Sequence, residues 1–178
     1  KLAAKVKISG GGKCNITNVE VTSNNFDGEV KLVDNALKVY SKEDLLRFLA
    51  RNDVSPVIRK NRYYFCKNSS DEIINALKKN SKHAEYLLNT SVQSVQKNND
   101  LFEVHTSHGI VKSKKLVVAT GGKSYTKLGA SEIGLSIAKE FGLGVKEFTP
   151  ALVGMTLQPA QFWMKELSGL SCYVTVKV

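Results

Sequence analysis

Residues equipped for chemistry concentrate in two stretches of this chain. The first is Ser9 to Asn18, SGGGKCNITN, directly after the alternating run Val6-Lys7-Ile8. Gly10, Gly11 and Gly12 strip every Cβ from a short loop, so the backbone can turn sharply, take positive φ and let another group come close. Lys13 adds a cation. Asn15, Thr17 and Asn18 add short polar side chains able to bind an anion or to hold the loop's own amides. Such a loop suits a phosphate or a flat cofactor with polar edges. It is not a Walker A loop, because Lys7 stands five positions before Gly12 where glycine is required, and Cys14 follows the lysine where Ser or Thr should ligand magnesium. A glycine-rich surface turn beside a lysine is the other reading, and residue chemistry alone leaves both open. The second stretch is Leu116 to Ser131, LVVATGGKSYTKLGAS, in which an apolar run ends in the tight turn Thr120-Gly121-Gly122.

The elements that must position these stretches follow from periodicity. Lys5 to Ser9 reads as a short strand feeding the glycine loop, and Val19 to Asp27 as loop. Val30, Val33, Leu37 and Tyr40 recur at helical spacing, and Ser41 caps a second helix with Asp44 three residues on. Val54 to Ile58 contains Pro56 and is therefore an edge strand, followed by an aromatic strand from Arg62 to Cys66. Ser69 or Ser70 opens a helix through Ile73, Ile74 and Leu77. Tyr86 to Lys97, Leu101 to Thr106 and Gly109 to Ser113, separated by turn residues, predict an antiparallel three-strand meander. Leu116 to Ala119 is continuously apolar, the pattern of a strand buried on both faces of a parallel sheet. Ile133, Ile137 and Phe141 predict a helix that Gly142 terminates. From Pro150 the pattern changes to two strand candidates, Val153 to Leu157 and Cys172 to Val178, around an amphipathic piece at Trp163. The expected class is α/β: a Rossmann-like mixed sheet with an antiparallel excursion over residues 1–150, then the start of a β-rich second domain over 151–178 that the chain end cuts short.

Composition narrows the partners. No apolar run approaches the length of a membrane span, so no membrane partner is expected. Three cysteines without a CxxC, and three histidines without metal-ligand spacing, argue against a disulfide framework or a metal site and for a reducing cytoplasm. His105 and His108 flank a turn, which predicts a surface role. The net charge of +10 comes mostly from lysine spread along the chain, with clusters at Arg59 to Arg62, Lys78 to Lys82 and Lys112 to Lys115. A basic face attracts nucleic acid, anionic lipid or phosphorylated cofactors, although a solvated lysine surface explains any single cluster as well.

Read together, KVKISGGGKCNITN, LVVATGGKSYTKLGAS, and TPALVGMTL at Thr149 to Leu157 followed by LSGLS at Leu167 to Ser171 resemble the bacterial flavoprotein family known as HI0933-like or YhiN-like. The resemblance covers essentially the whole chain. It implies an FAD-dependent, NAD(P)-linked oxidoreductase acting on a small-molecule substrate. It lays the first motif, Gly10 to Asn15 with Thr17 and Asn18, against FAD, together with Thr120, Gly121 and Gly122 and the backbone of Val92. Three departures are notable. Lys13 replaces an arginine and loses its planar fork. Thr126 stands where the family has proline, and Glu132-Ile133 where it has Gly-Asp. The family's opening GxGxxG loop and its ribose-binding acid lie, by the resemblance, upstream of Lys1, so these residues form one wall of the cofactor site.

In a flavoenzyme the isoalloxazine carries the electrons, and the protein positions it and excludes water. A catalytic triad is neither needed nor found. Cys14 reads either as a redox thiol or as a small side chain packed under the loop, with no partner cysteine nearby in sequence. Tyr125 reads as a stacking ring or a turn anchor. Two rival functions remain at this level. One is a nucleic-acid-binding module that uses Tyr63, Tyr64 and Phe65 beside Arg59, Lys60 and Arg62 as a stacking platform, without an RNP, KH or helix-turn-helix signature in support. The other is a folded fragment without cofactor or activity.

Overall fold

The computed structural model describes residues 2–150, 156–167, 170 and 175. The chain divides into two compact units, residues 1–145 and 146–178. The first unit is mixed α/β. In order it contains helix α1 (Ala4–Ile8), strand β1 (Asn15–Asn18), α2 (Val30–Val39), α3 (Lys42–Ala50), β2 (Val57–Arg59), β3 (Tyr63–Phe65), α4 (Asp71–Asn80), β4 (Val92–Asn98), β5 (Leu101–Thr106), β6 (Gly109–Ser113) and α5 (Ile133–Glu140). Two antiparallel three-stranded sheets result, ordered β1-β3-β2 and β4-β5-β6.

The first sheet and helices α3 and α4 share a small core. Leu49, Val54 and Ala76 are buried at its centre, with Ile16, Leu45, Leu46, Phe48 and Ile73 packed against them. Helix α3 begins where Ser41 and Asp44 form a reciprocal capping box. The Asp44 amide donates to Ser41 Oγ at 3.1 Å and the Ser41 amide to the Asp44 carboxylate at 2.8 Å. The bonds from Ser41 hold the Asp44 carboxyl down to about 2. Strand β2, just after Pro56, lies at the sheet edge, where a missing ladder donor is tolerated.

The meander forms as the turn signals predict. Val92 to Asn98 pairs with Leu101 to Thr106, which pairs with Gly109 to Ser113, and Glu103 faces Lys112 in register with an ion pair of 2.7 Å. The first strand begins at Val92, not Tyr86. Helix α5 ends in a Schellman motif: Gly142 takes φ 72°, its amide donates to the Lys139 carbonyl, and the Leu143 amide donates to the Ala138 carbonyl. His108 is exposed in the β5–β6 turn, but His105 is half-buried and its Nε2 is buried without a hydrogen-bond partner among the described residues, so the surface role holds for one histidine only.

Two expectations are corrected. Lys5 to Ile8 is helical, not a strand. Four alternating residues are too few to fix a period, and tertiary contacts decide: Lys7 Nζ reaches the Asp71 carboxylate on α4 at 2.6 Å. Residues 116–119 form no strand among the described residues, and Val117 is 85% exposed. A run of this kind becomes a buried strand only when neighbouring strands accept its ladder bonds, and no parallel pair exists among the described strands. Leu116 and Val118 instead line an apolar cavity of about 390 Å3 with Phe102, Ile137 and Phe141.

In the second unit the piece around Trp163 is a 3-10 turn, Pro159–Leu167. The strand candidates Val153 to Leu157 and Cys172 to Val178, and most of the third motif, lie outside the described residues apart from Thr149, Pro150, Thr156, Leu157, Leu167, Leu170 and Thr175.

Candidate functional site

The glycine loop is built from left-handed backbone. Gly10, Gly11 and Gly12 take φ of 56°, 65° and 84°, a run that residues with a Cβ adopt only at a cost. Lys13 returns to φ −101°, and Cys14 is left-handed again at φ 47°. The loop is held from behind by groups more than fifty residues away in sequence. The Ser70 amide donates to the Gly12 carbonyl at 2.9 Å, and Ser70 Oγ donates to the Lys7 carbonyl at 3.1 Å. Ser70 is 1% exposed, so these bonds operate away from water. The Cys66 amide donates to the Lys13 carbonyl at 3.0 Å. On the other side Phe65 closes against Gly10. A Cβ there would lie 2.6 Å from Phe65 Cε1 and 2.8 Å from the Asn15 amide nitrogen. Gly11 differs: a Cβ there would meet nothing within 4 Å.

That open side faces a cavity of about 470 Å3 lined by Lys5, Ile8, Ser9, Gly10, Gly11, Ser124 and Tyr125. The two sequence motifs, more than a hundred residues apart, therefore meet across one space. The lining mixes a lysine, hydroxyls and an aromatic ring with apolar groups, a composition suited to a ligand with a charged part and a flat part. The apolar cavity beside α5 has aromatic rings but offers no lysine and no hydroxyl. Tyr125 sits at φ 60° and 69% exposed, so its ring is not an anchor packed into the fold. A bulky residue in that backbone region marks a place where the surroundings impose the conformation.

The remaining predicted residues are distributed. Lys13 and Asn15 are exposed at the end of the loop and the start of β1. Thr17 pairs with Tyr64. Asn18 lines a second, polar cavity of about 520 Å3 with Asn25, Asn61 and Arg62, and its Oδ1 is buried without a hydrogen-bond partner among the described residues. Thr120 packs toward α5, where a Cβ on Gly134 would lie 2.5 Å from its Oγ1. Val92, Thr120, Gly121 and Gly122 do not line the cavity of the glycine loop. Sequence pattern names Phe65 for an aromatic platform and Ser70 for a helix start, but gives no signal that either meets the glycine loop, because those contacts arise from chain reversals that no local pattern encodes.

Cys14 has the partner that its sequence surroundings lack. Cys66 lies opposite it, one step beyond the Asn15–Phe65 pair, and both thiols are free and buried. Burial pushes the Cys14 thiol up and the Cys66 thiol up to about 11. Both are neutral at physiological pH, and neither supplies a ready thiolate nucleophile. A raised folded-state pKa contributes stability that is complete below the ordinary thiol value and lost as pH climbs through the folded one. Denaturant midpoints are accordingly expected to fall between about pH 9 and about pH 11, and the fall is expected to shrink in Cys66→Ala. An equal alkaline loss in the variant would count against the buried-thiol account.

Among the described residues no helix is long and apolar enough to cross a membrane, and no cluster of His, Cys, Asp and Glu could hold a metal ion. Comparison with known proteins adds identity. The HI0933-like protein Rossmann domain pattern matches residues 1–172. A ribosomal RNA dihydrouridine synthase of Haemophilus influenzae is 32% identical over 183 residues, covering 99% of this chain and 46% of that protein. Its namesake in Escherichia coli is 30% identical over 175 residues, covering 96% and 44%. A 3-dehydro-bile acid delta(4,6)-reductase of Clostridium scindens is 21% identical, covering 90% and 40%. The chain thus spans less than half the length of these relatives. The family match, with a reductase among the relatives, supports a flavin-type oxidoreductase class. With the two glycine motifs facing one cavity and the family pattern spanning nearly every residue, this chain belongs to the HI0933-like Rossmann-domain family.

Proposed function

We propose that this chain forms one wall of an FAD site in a reductase that takes electrons from NAD(P)H and saturates a carbon–carbon double bond, with the uracil ring of ribosomal RNA as substrate. The observation that carries the cofactor part is the open face of Gly11 in the cavity it shares with Ser124 and Tyr125. Residues without a Cβ let a flat or phosphorylated group approach the backbone closely. Lys5 is exposed at that cavity and offers a cation to a phosphate, and Tyr125 offers a ring face. Asn18, with its unpartnered oxygen, suits a ligand N–H donor from its own cavity. FAD, when bound, supplies hydride transfer. The chain's own residues bind, orient and shield.

The substrate part rests on the relatives. A dihydrouridine synthase and a delta-reductase are both named for the saturation of a carbon–carbon double bond. Uracil presents such a bond at C5–C6, conjugated to its C4 carbonyl. Saturation adds one hydride and one proton to uracil and leaves the nicotinamide oxidised. Supporting this reading are the two relatives at 32% and 30% identity across almost all of this chain.

The test is incubation of the full-length protein, FAD and NADPH with an unmodified ribosomal RNA transcript, followed by nuclease digestion and mass spectrometry. A uridine gaining two hydrogens at a defined position is the expected product. Oxidation of NADPH without dihydrouridine would leave a reductase of another substrate and overturn the RNA assignment.

A further inference from the structure

The β2–β3 hairpin carries a ladder of aromatic and guanidinium groups that starts at the glycine loop. Paired residues share a sheet face, and Val57 faces Phe65 while Arg59 faces Tyr63. Phe65 and Tyr63 are therefore on one face, with ring centroids 6.4 Å apart in an edge arrangement. The Arg59 guanidinium lies 5.2 Å from the Phe65 centroid, and that of Arg62 lies 5.4 Å from Tyr63. Phe65 in turn touches Gly10. The line Gly10, Phe65, Arg59, Tyr63, Arg62 thus leads from the candidate cofactor loop to the hairpin tip.

The tip itself is unusual. Lys60 and Asn61 take φ of 51° and 50°. Asparagine accepts this conformation readily, but lysine holds it at a cost. Arg59, Lys60 and Arg62 are all exposed. None of the three pairs with a carboxylate among the described residues, whereas Lys7, Lys42, Arg47, Lys112 and Lys123 all do. Three unneutralised cations at a constrained tip, beside flat rings, match the chemistry of a polyanion with stacking bases. Anionic lipid would use the cations but has no use for the rings.

We propose that this ladder binds single-stranded or looped RNA, with Arg59, Lys60 and Arg62 on its phosphates and the Tyr63–Arg62 end as a stacking platform beside the glycine loop. The inference rests on the RNA-substrate reading above. It adds the surface that the RNA occupies.

The probe is a fluorescein-labelled single-stranded RNA oligonucleotide titrated against the full-length protein by anisotropy over a salt series. Arg59→Gln with Arg62→Gln is expected to weaken binding about tenfold, and to lower the slope of log affinity against log salt by about 1.4, the value for two single-strand phosphates. Flavin content, read from the visible absorbance, is expected to stay unchanged in Arg59→Gln alone, whose side chain lines neither the glycine-loop cavity nor the Asn18 cavity. Tyr63→Leu keeps an apolar side chain at the strand position and is expected to weaken binding about tenfold through lost stacking, with the salt slope intact. Unchanged RNA affinity in the double variant overturns the proposal, because both side chains are exposed and their loss does not threaten the fold. Loss of flavin with RNA affinity retained overturns it too, assigning the ladder to the cofactor. Lost binding to phosphatidylserine vesicles with RNA binding intact assigns the tip to a membrane surface and likewise overturns it. A wild-type protein that binds no flavin, yet loses RNA in the double variant, keeps the ladder and overturns only the reductase reading.

Discussion

Gly11→Val is expected to yield a folded protein that has lost its flavin. The Cβ at this position meets nothing within 4 Å, so the fold itself has no atom to displace. The backbone cost is that of a left-handed residue at φ 65°, about 1–2 kcal/mol, which a domain of ordinary stability survives. The added side chain instead enters the cavity bordered by Ser124 and Tyr125, where the cofactor is proposed to approach. Forcing a ligand away from a close backbone contact resembles overpacking, worth about 1–3 kcal/mol, so retention should fall by about tenfold to a hundredfold. The ratio of visible flavin absorbance to protein absorbance measures this, and far-ultraviolet circular dichroism reports the fold. Normal flavin content in a folded variant would remove the cofactor from this side of the loop.

Gly10→Ala, one residue earlier, should fail in the opposite way. Here the new methyl group would sit 2.6 Å from Phe65 Cε1 and 2.8 Å from the Asn15 amide nitrogen, and φ is 56°. Steric displacement and left-handed strain together are expected to cost about 3 kcal/mol, and to lower the melting temperature by about 10 °C. Phe65→Leu in the same background should recover part of that loss, because the ring is one of the two obstructions. The Asn15 backbone is the other and does not move aside. A double-mutant cycle is expected to show coupling of about 1 kcal/mol between the two sites. Additive effects would mean that Phe65 does not close the loop. Adjacent glycines thus separate two roles, one holding the loop together and one leaving room in front of it.

These roles are only half legible in the sequence. The glycine triplet announces positive φ, and all three residues take it. Which glycine faces open space and which faces Phe65 depends on a strand fifty residues later, beyond the reach of local pattern. The helices that carry their own caps and periods, from the Ser41 capping box to the Gly142 terminus, are readable because their stabilising bonds are local. Residues 116–119 mislead because an apolar run specifies burial and not the partner that provides it. The Cys14–Cys66 opposition and the Ser70 clamp belong to the same class of long-range contact. Family resemblance brings Thr120, Gly121 and Gly122 to the glycine loop, whereas the fold brings their neighbours Ser124 and Tyr125 there.

The central claim is that this glycine loop is a wall of a flavin site. The visible absorption spectrum of the full-length protein, recorded anaerobically before and after NAD(P)H, addresses it most directly. The proposed function predicts a yellow protein whose flavin bands bleach on addition of the nicotinamide and return with air. A colourless full-length protein that rejects added FAD would contradict it.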